Sequence, residues 1–136
     1  MSEKNIILFK HVGDFRIGTG LAGAKSLHAI LTVPDKSSMV HGTGLLTQAV
    51  NPPLRIESHL SGVVHATGVG PAKQIFALHG SPIPPGLLGT PVITDHLIVL
   101  DGVWGTKGTA TYAYWIGSTF EEVKDVPVTV NWLLQG

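Results

Sequence analysis

The chain has 136 residues, of which 43% are hydrophobic and 13% are charged, and its formal net charge is zero. This composition excludes a disordered chain, which combines low hydrophobicity with high net charge. It also excludes a nucleic-acid-binding surface of the usual kind, because the scattered Lys and Arg residues form no basic stripe.

The absence of cysteine excludes disulfides, zinc–thiolate sites and cysteine nucleophiles. The first residues are polar, and no apolar run reaches the roughly 18 residues of a membrane helix. We therefore expect no membrane span and a cytoplasmic protein, with leaderless export left open. The length fits one domain over residues 1–136, and the low charge predicts a surface covered by homo-oligomer formation.

Apolar residues recur with a period of two almost everywhere, and glycine or proline interrupts the pattern every 8 to 14 or so residues. In chain order, strands are predicted at Ile6–Val12, Phe15–Gly18, Leu27–Val33, Met39–Val50, Leu54–Thr67, Lys73–Gly80, Val92–Gly102, Lys107–Gly117 and Val126–Gln135. The one helical turn that the pattern allows is Ser118–Lys124.

These strands predict an all-β fold, an antiparallel meander of about eight strands closed as a β-barrel, with a β-sandwich as the alternative. The segment Leu54–Thr67 shows the expected alternation, because Leu54, Ile56 and Leu60 share one face.

The segment from Gly80 to Pro91 interrupts the two-residue periodicity, because it contains four prolines. Such a segment is stiff and extended. Its apolar residues Ile83, Leu87 and Leu88 must pack on something. A flap over one end of the barrel, a lid over a ligand and an arm on a neighbouring subunit are the alternatives.

Seven histidines are the most unusual feature of the composition. If the strands pair as hairpins, His41, His59 and His79 can form a lateral row on neighbouring strands. Such a row could bind a divalent metal, but solvent-facing histidines are ordinary, so no metal site is predicted. Residues Asp95 and His96 are adjacent and point to opposite faces of a regular strand.

Catalytic signatures are scarce. The chain has no Gly-x-Ser-x-Gly motif and no phosphate-binding loop, so no cofactor is predicted. A barrel enzyme could still assemble its polar groups from separate strands. The candidates are Glu57, His59, His65, Asp95 and His96.

Aromatic residues are concentrated in Trp104–Trp115, where Tyr112 and Tyr114 share one strand face and Trp115 takes the other. Rings beside small polar residues suit stacking on a sugar or a planar ligand, although aromatics are also common in ordinary strand packing. The candidate ligand-binding residues are Trp104, Tyr112, Tyr114 and Trp115, with Ile83, Leu87 and Leu88 as a closing element.

The segment Thr47–Leu54 reads Thr-Gln-Ala-Val-Asn-Pro-Pro-Leu, and its Asn-Pro-Pro forces an extended corner between two strands. Together with Gly42 and Gly44 before it and Gly62 after it, this segment resembles a family of small bacterial β-rich proteins of unknown function. The resemblance implies a bacterial origin and assigns no catalytic residues.

The sequence favours a non-catalytic module that binds a small apolar ligand, a glycan or a protein as a homo-oligomer. The alternatives are a small barrel enzyme, such as an isomerase, cyclase or hydrolase acting on an apolar substrate, and a self-assembling or toxin-like protein. The apolar strand Val126–Gln135 motivates the last alternative.

Overall fold

The computed structural model describes residues 9–34, 36–50, 53–67, 73–82, 94–116 and 118–135. It contains eight strands: β1 Phe9–Ile17, β2 Ser26–Pro34, β3 Met39–Gln48, β4 Leu54–Ala66, β5 Gln74–Pro82, β6 Thr94–Leu100, β7 Lys107–Ile116 and β8 Thr119–Gln135. Within these ranges, no helix is long and apolar enough to cross a membrane.

Each strand pairs with the next in antiparallel orientation, and β8 pairs back with β1 to close the barrel. The predicted all-β meander of about eight strands is therefore confirmed, and the β-sandwich alternative is wrong. A barrel of eight strands has an interior just wide enough for side chains to fill.

Along the strands, side chains alternate between the inside and the outside of the barrel, and the inward ones form the core. In β2, Leu27, Ala29, Leu31 and Val33 are buried, while the residues between them are partly exposed. The inward residues of opposite strands meet at the centre, where the ring centroids of Phe15 and Phe76 lie 5.3 Å apart in an edge-to-face contact. This contact geometry is the one that aromatic pairs prefer.

The single strand β1, Phe9–Ile17, contains the described parts of two predicted segments, Ile6–Val12 and Phe15–Gly18, except Gly18, which follows it. Residues 6–8 lie outside the described residues. Gly13 and Asp14 resemble a turn in the sequence, but both are paired with β2. Asp14 points outward, and its carboxylate accepts a hydrogen bond from the His28 ring at 2.6 Å. The predicted break was wrong because cross-strand contacts, which local propensity does not include, hold the two residues in the sheet.

The predicted helical turn at Ser118–Lys124 is also wrong, because β8 begins at Thr119. A register shift between Ala110 and Tyr112 accommodates this long strand. At the shift, Asp125 has a positive φ of 53°, and its backbone N–H donates a hydrogen bond to Thr111 Oγ1. A bulge of this kind bends a strand and increases its twist, which suits a small barrel.

At Gly62 in β4, an added Cβ would overlap the carbonyl oxygen of Ala77 in β5. Gly62→Ala should therefore lower the free energy of unfolding by about 2 kcal/mol, the usual cost of overpacking. Gly102→Ala is the matched control, because a Cβ there would meet no atom within 4 Å. Urea unfolding curves measure both changes, and equal losses from the two variants would contradict the close approach.

Candidate functional site

The two ends of the barrel differ. At one end, which we call the mouth, β1, β3, β5 and β7 end and β2, β4, β6 and β8 begin. At the opposite end, which we call the closed end, β2, β4 and β6 end and β3, β5 and β7 begin. Ile83, Leu87 and Leu88 belong to the connection 83–93 and lie outside the described residues.

A cleft of about 520 Å³ opens at the mouth, and we call it the mouth cleft. Its volume is in the usual range for small-molecule sites. The apolar part of its lining comes mainly from β4 and β7 and the connection before β4, and the polar part forms a rim. The residues are Lys25, Gln48, Val50, Pro53, Leu54, Arg55, Ile56, Tyr114, Ile116 and Glu121.

The apolar residues of the cleft lining are positioned by the alternation of inward and outward side chains along the strands. Ile56 and Tyr114 point into the barrel and are buried, whereas Ile116, at the end of β7, is 41% exposed. The cleft therefore has a buried apolar floor and an open apolar edge. Such a surface can remove further apolar area from water when a ligand enters.

The rim carries both signs of charge, from Lys25, Arg55 and Glu121. A guanidinium nitrogen of Arg55 lies 3.5 Å from the Glu57 carboxylate on the same strand face. The side-chain amide of Gln48 donates a hydrogen bond to the Gly23 carbonyl oxygen at 3.0 Å, which ties the connection 18–25 to β3. The polar side chains thus hold the edge of the cleft in place.

Next to the cleft floor, the barrel interior contains three buried polar side chains, Ser58, Thr94 and His96. The His96 Nε2 atom lies 3.1 Å from the Thr94 hydroxyl. Burial lowers the pKa of His96 from 6.5 to about 4; the Asp95 carboxylate opposes this effect and His79 adds to it. The imidazole is therefore neutral at physiological pH.

Two tyrosines flank this interior. Burial raises the pKa of Tyr112 to about 12, with a smaller contribution from Tyr114. Burial also raises the pKa of Tyr114, and the Glu121 carboxylate adds to the effect. Both phenols remain protonated under physiological conditions, so they offer hydrogen bonds and apolar ring area rather than charge.

The structure separates the aromatic residues that the sequence grouped together. Tyr114 lines the mouth cleft, and Tyr112 is buried beside His96 at a centroid distance of 5.9 Å. Trp104 lies at the closed end, where its ring stacks on His11 at 3.4 Å. Trp115 lies on the outer surface and contacts the Phe120 ring, with 5.0 Å between the centroids.

The histidine row is interrupted. His41 and His79 both pair with Ser61, whereas His59 lies two residues away, between Thr43 and Ser81. Among the residues that the structure describes, no group of three His, Asp or Glu side chains is close enough to hold a metal ion.

The other candidate catalytic residues also separate. Glu57, His59 and His65 point to the outer surface. Asp95 is exposed as well, and its carboxylate lies 3.0 Å from the His79 ring. Of the five candidates, His96 alone is buried in the interior.

Sequence reasoning missed Lys25, Gln48 and Ile116 in the cleft and Ser58 and Thr94 in the interior. The last two could have been found from the sequence, because each is a polar residue at an inward position of the two-residue alternation. Ser58 stands between Ile56 and Leu60, and Thr94 precedes His96 and Ile98. The cleft residues carry no such signal, because turns bring them together from different hairpins.

Comparison with known proteins identifies one family. Residues 9–120 match the model of a family described as a domain of unknown function (DUF1842). The matched segment contains β1 to β7 and the first two residues of β8. No match was found among the curated proteins. The resemblance seen in the sequence agrees with this match in one respect, the unknown function of the family.

The pKa of His96 predicts a specific acid sensitivity. Because its folded-state pKa of about 4 lies below the ordinary 6.5, this histidine contributes stability that is fully present above pH 6.5 and is lost as the pH falls toward 4. The loss is about 3 kcal/mol for such a difference in pKa. His96→Leu should therefore flatten the decline in unfolding free energy between neutral and acidic pH.

Urea unfolding at a series of pH values measures this decline. His65→Leu is the control, because His65 is an exposed histidine on the outer face of β4. We expect it to follow the unmodified protein. If His96→Leu declined as steeply as the unmodified protein, His96 would not be the group that links protons to folding.

Proposed function

The chain belongs to the DUF1842 family, and we propose that its barrel is a non-catalytic binding module that holds a small, largely apolar ligand in the mouth cleft. One observation carries the proposal, namely an apolar cleft of about 520 Å³ with a charged rim at one end of the barrel. Ligand sites of this size are typically apolar, with a few polar groups that orient the ligand.

The position of the aromatic rings favours an apolar ligand over a glycan. Sugar stacking needs an exposed ring face, but the Tyr114 ring in the cleft is only 2% exposed. The exposed aromatic pair, Trp115 and Phe120, packs ring against ring on the outer surface. The cleft instead offers aliphatic side chains, among them Val50, Leu54 and Ile116.

Ile116→Glu should weaken the binding of a neutral apolar probe such as Nile red. The new carboxylate would lose hydration when the probe enters the cleft, so we expect a loss of affinity of about tenfold. Fluorescence titration measures the dissociation constant.

The matched control is Leu133→Glu, because Leu133 is an exposed leucine, 57% accessible, on β8 and far along that strand from the mouth. This variant should bind the probe as the unmodified protein does. An unmodified protein that does not bind the probe, or equal losses from the two variants, would contradict a binding function of the mouth cleft.

An enzymatic function is the second candidate, and one observation favours it: a buried histidine, His96, with a strongly lowered pKa lies beside the cleft. Perturbed titratable groups next to a pocket are typical of active sites. The two candidates differ in their product, because a binding module releases its ligand chemically unchanged. Mass spectrometry of the ligand after incubation distinguishes them.

We further propose that the module is a homo-oligomer. The register aligns four apolar side chains on the outer surface, namely Met39, Val63, Ala77 and Leu97. Of these, Met39 and Leu97 are nearly half exposed. Covering such a row removes apolar area from water, which favours association.

Leu97→Lys should shift the oligomer toward the monomer, because it would place a charge in the proposed contact. Native mass spectrometry of both proteins measures the change, with Leu133→Lys as the control at another exposed leucine. A monomeric unmodified protein would contradict the proposal.

A further inference from the structure

The three buried polar side chains Ser58, Thr94 and His96 line a small internal cavity of about 10 Å³. The rest of its lining is apolar or backbone: Leu27, Gly44, Leu46 and Ile56. Ile56 lines both the cavity and the mouth cleft, and Thr94 of the cavity pairs with Tyr114 of the cleft, so the two spaces lie on either side of these residues. We call this cavity, with Ser58, Thr94 and His96, the polar subsite.

The hydrogen bonds of the polar subsite are incomplete. The His96 Nε2 atom has the Thr94 hydroxyl as its partner at 3.1 Å. The buried Nδ1 atom of His96 has no hydrogen-bond partner among the described residues. A neutral imidazole carries one donor and one acceptor, so one ring nitrogen is left to be satisfied whichever tautomer is present. A buried polar atom without a partner costs free energy, which a ligand atom can recover.

Two glycines, Gly44 and Gly80, leave space for the polar subsite. A Cβ at Gly80 would overlap the Thr94 hydroxyl, and it would lie 3.2 Å from Ser58 Cβ. Gly44 lines the cavity directly. Larger residues at these inward positions would fill the space with apolar atoms, as they do in the rest of the core. The polar subsite therefore depends on the residues at inward positions of four strands, β3 to β6.

We infer that the polar subsite receives one uncharged oxygen atom, an alcohol hydroxyl or a carbonyl oxygen, at the end of a ligand whose apolar part fills the mouth cleft. The inference rests on the proposed function of the cleft and specifies the ligand class. The ligands expected are apolar alcohols, aldehydes and ketones.

The volume of the cavity and the absence of charge on His96 both favour a single uncharged oxygen atom. A cavity of about 10 Å³ holds about one water-sized group. The groups that act on His96 are Asp95 and His79, which lie on the outer surface, and the Tyr112 phenol inside. His96 is neutral at physiological pH, so the polar subsite has no positive charge to balance a carboxylate. An ionised group would thus be buried without a partner.

The test compares 1-octanol, octanoate and octane, which share one apolar chain, as competitors of Nile red at neutral pH. The quantity measured is the affinity for octanol relative to octane. In Thr94→Val, which keeps the side-chain shape, and in His96→Leu, this ratio should fall about tenfold, the usual effect of losing a buried hydrogen bond. The affinity for octane should stay nearly unchanged in both variants. The affinity for octanoate should also stay nearly unchanged, because its carboxylate is excluded from the subsite and can pair with Lys25 or Arg55 on the rim.

The control is His65→Leu, which removes an exposed histidine from the outer surface and should leave the ratio unchanged. Because Thr94→Val is isosteric, it keeps the test decisive if His96→Leu fails to fold. A ratio that stays constant in Thr94→Val, or an octanoate affinity that falls as much as the octanol affinity in that variant, would overturn the polar subsite while leaving the cleft function intact. If none of the three compounds displaces Nile red from the unmodified protein, the subsite and the proposed function both fail.

Discussion

Closure of eight strands into one barrel limits everything that the interior can hold. The pairing of β8 with β1 sets the circumference, and eight strands leave space for side chains rather than for a large chamber. Phe15 and Phe76 already fill the centre. The ligand that we propose therefore lies at an end of the barrel, with a single small group reaching the interior. The proposed roles of the mouth cleft and the polar subsite are consistent with this limit.

The two ends of the barrel are specialised in opposite ways. At the closed end, the Trp104 ring stacks on His11, and the Trp132 indole N–H donates a hydrogen bond to the Gly105 carbonyl oxygen. The side-chain oxygen of Gln74 accepts a hydrogen bond from the Trp104 backbone N–H. The mouth end instead leaves His96 Nδ1 unpaired among the described residues. The polar groups named at the closed end are thus paired, whereas a buried ring nitrogen near the mouth is not. An unsatisfied buried group of this kind is consistent with the site that we propose there.

The strands and their inward faces could be predicted from the sequence, because a period of two is a local signal. It identified the buried face of β4 and the shared face of Tyr112 and Tyr114. Register is not local, and so the row His41–His59–His79 could not be tested until the pairing was known. Propensity also failed at Gly13 and Asp14 and at Ser118–Lys124, where pairing with neighbouring strands overrides it. Lys25 and Gln48 reach the cleft from two hairpins, and no sequence spacing relates them to Tyr114.

Each of the eight strands has a hydrogen-bonded neighbour on both sides, since the last is joined to the first. The backbone donors and acceptors that an open sheet would present along its margins are already engaged. Along these paired lengths of the described strands, a partner protein or peptide finds no free strand edge to extend, which is a common mode of recognition on open sheets. The same lengths present no open edge as a template for amyloid-like growth. Any recognition along its flanks must be achieved by side chains, so its selectivity can change through outward-facing substitutions without disturbing the hydrogen-bonded framework.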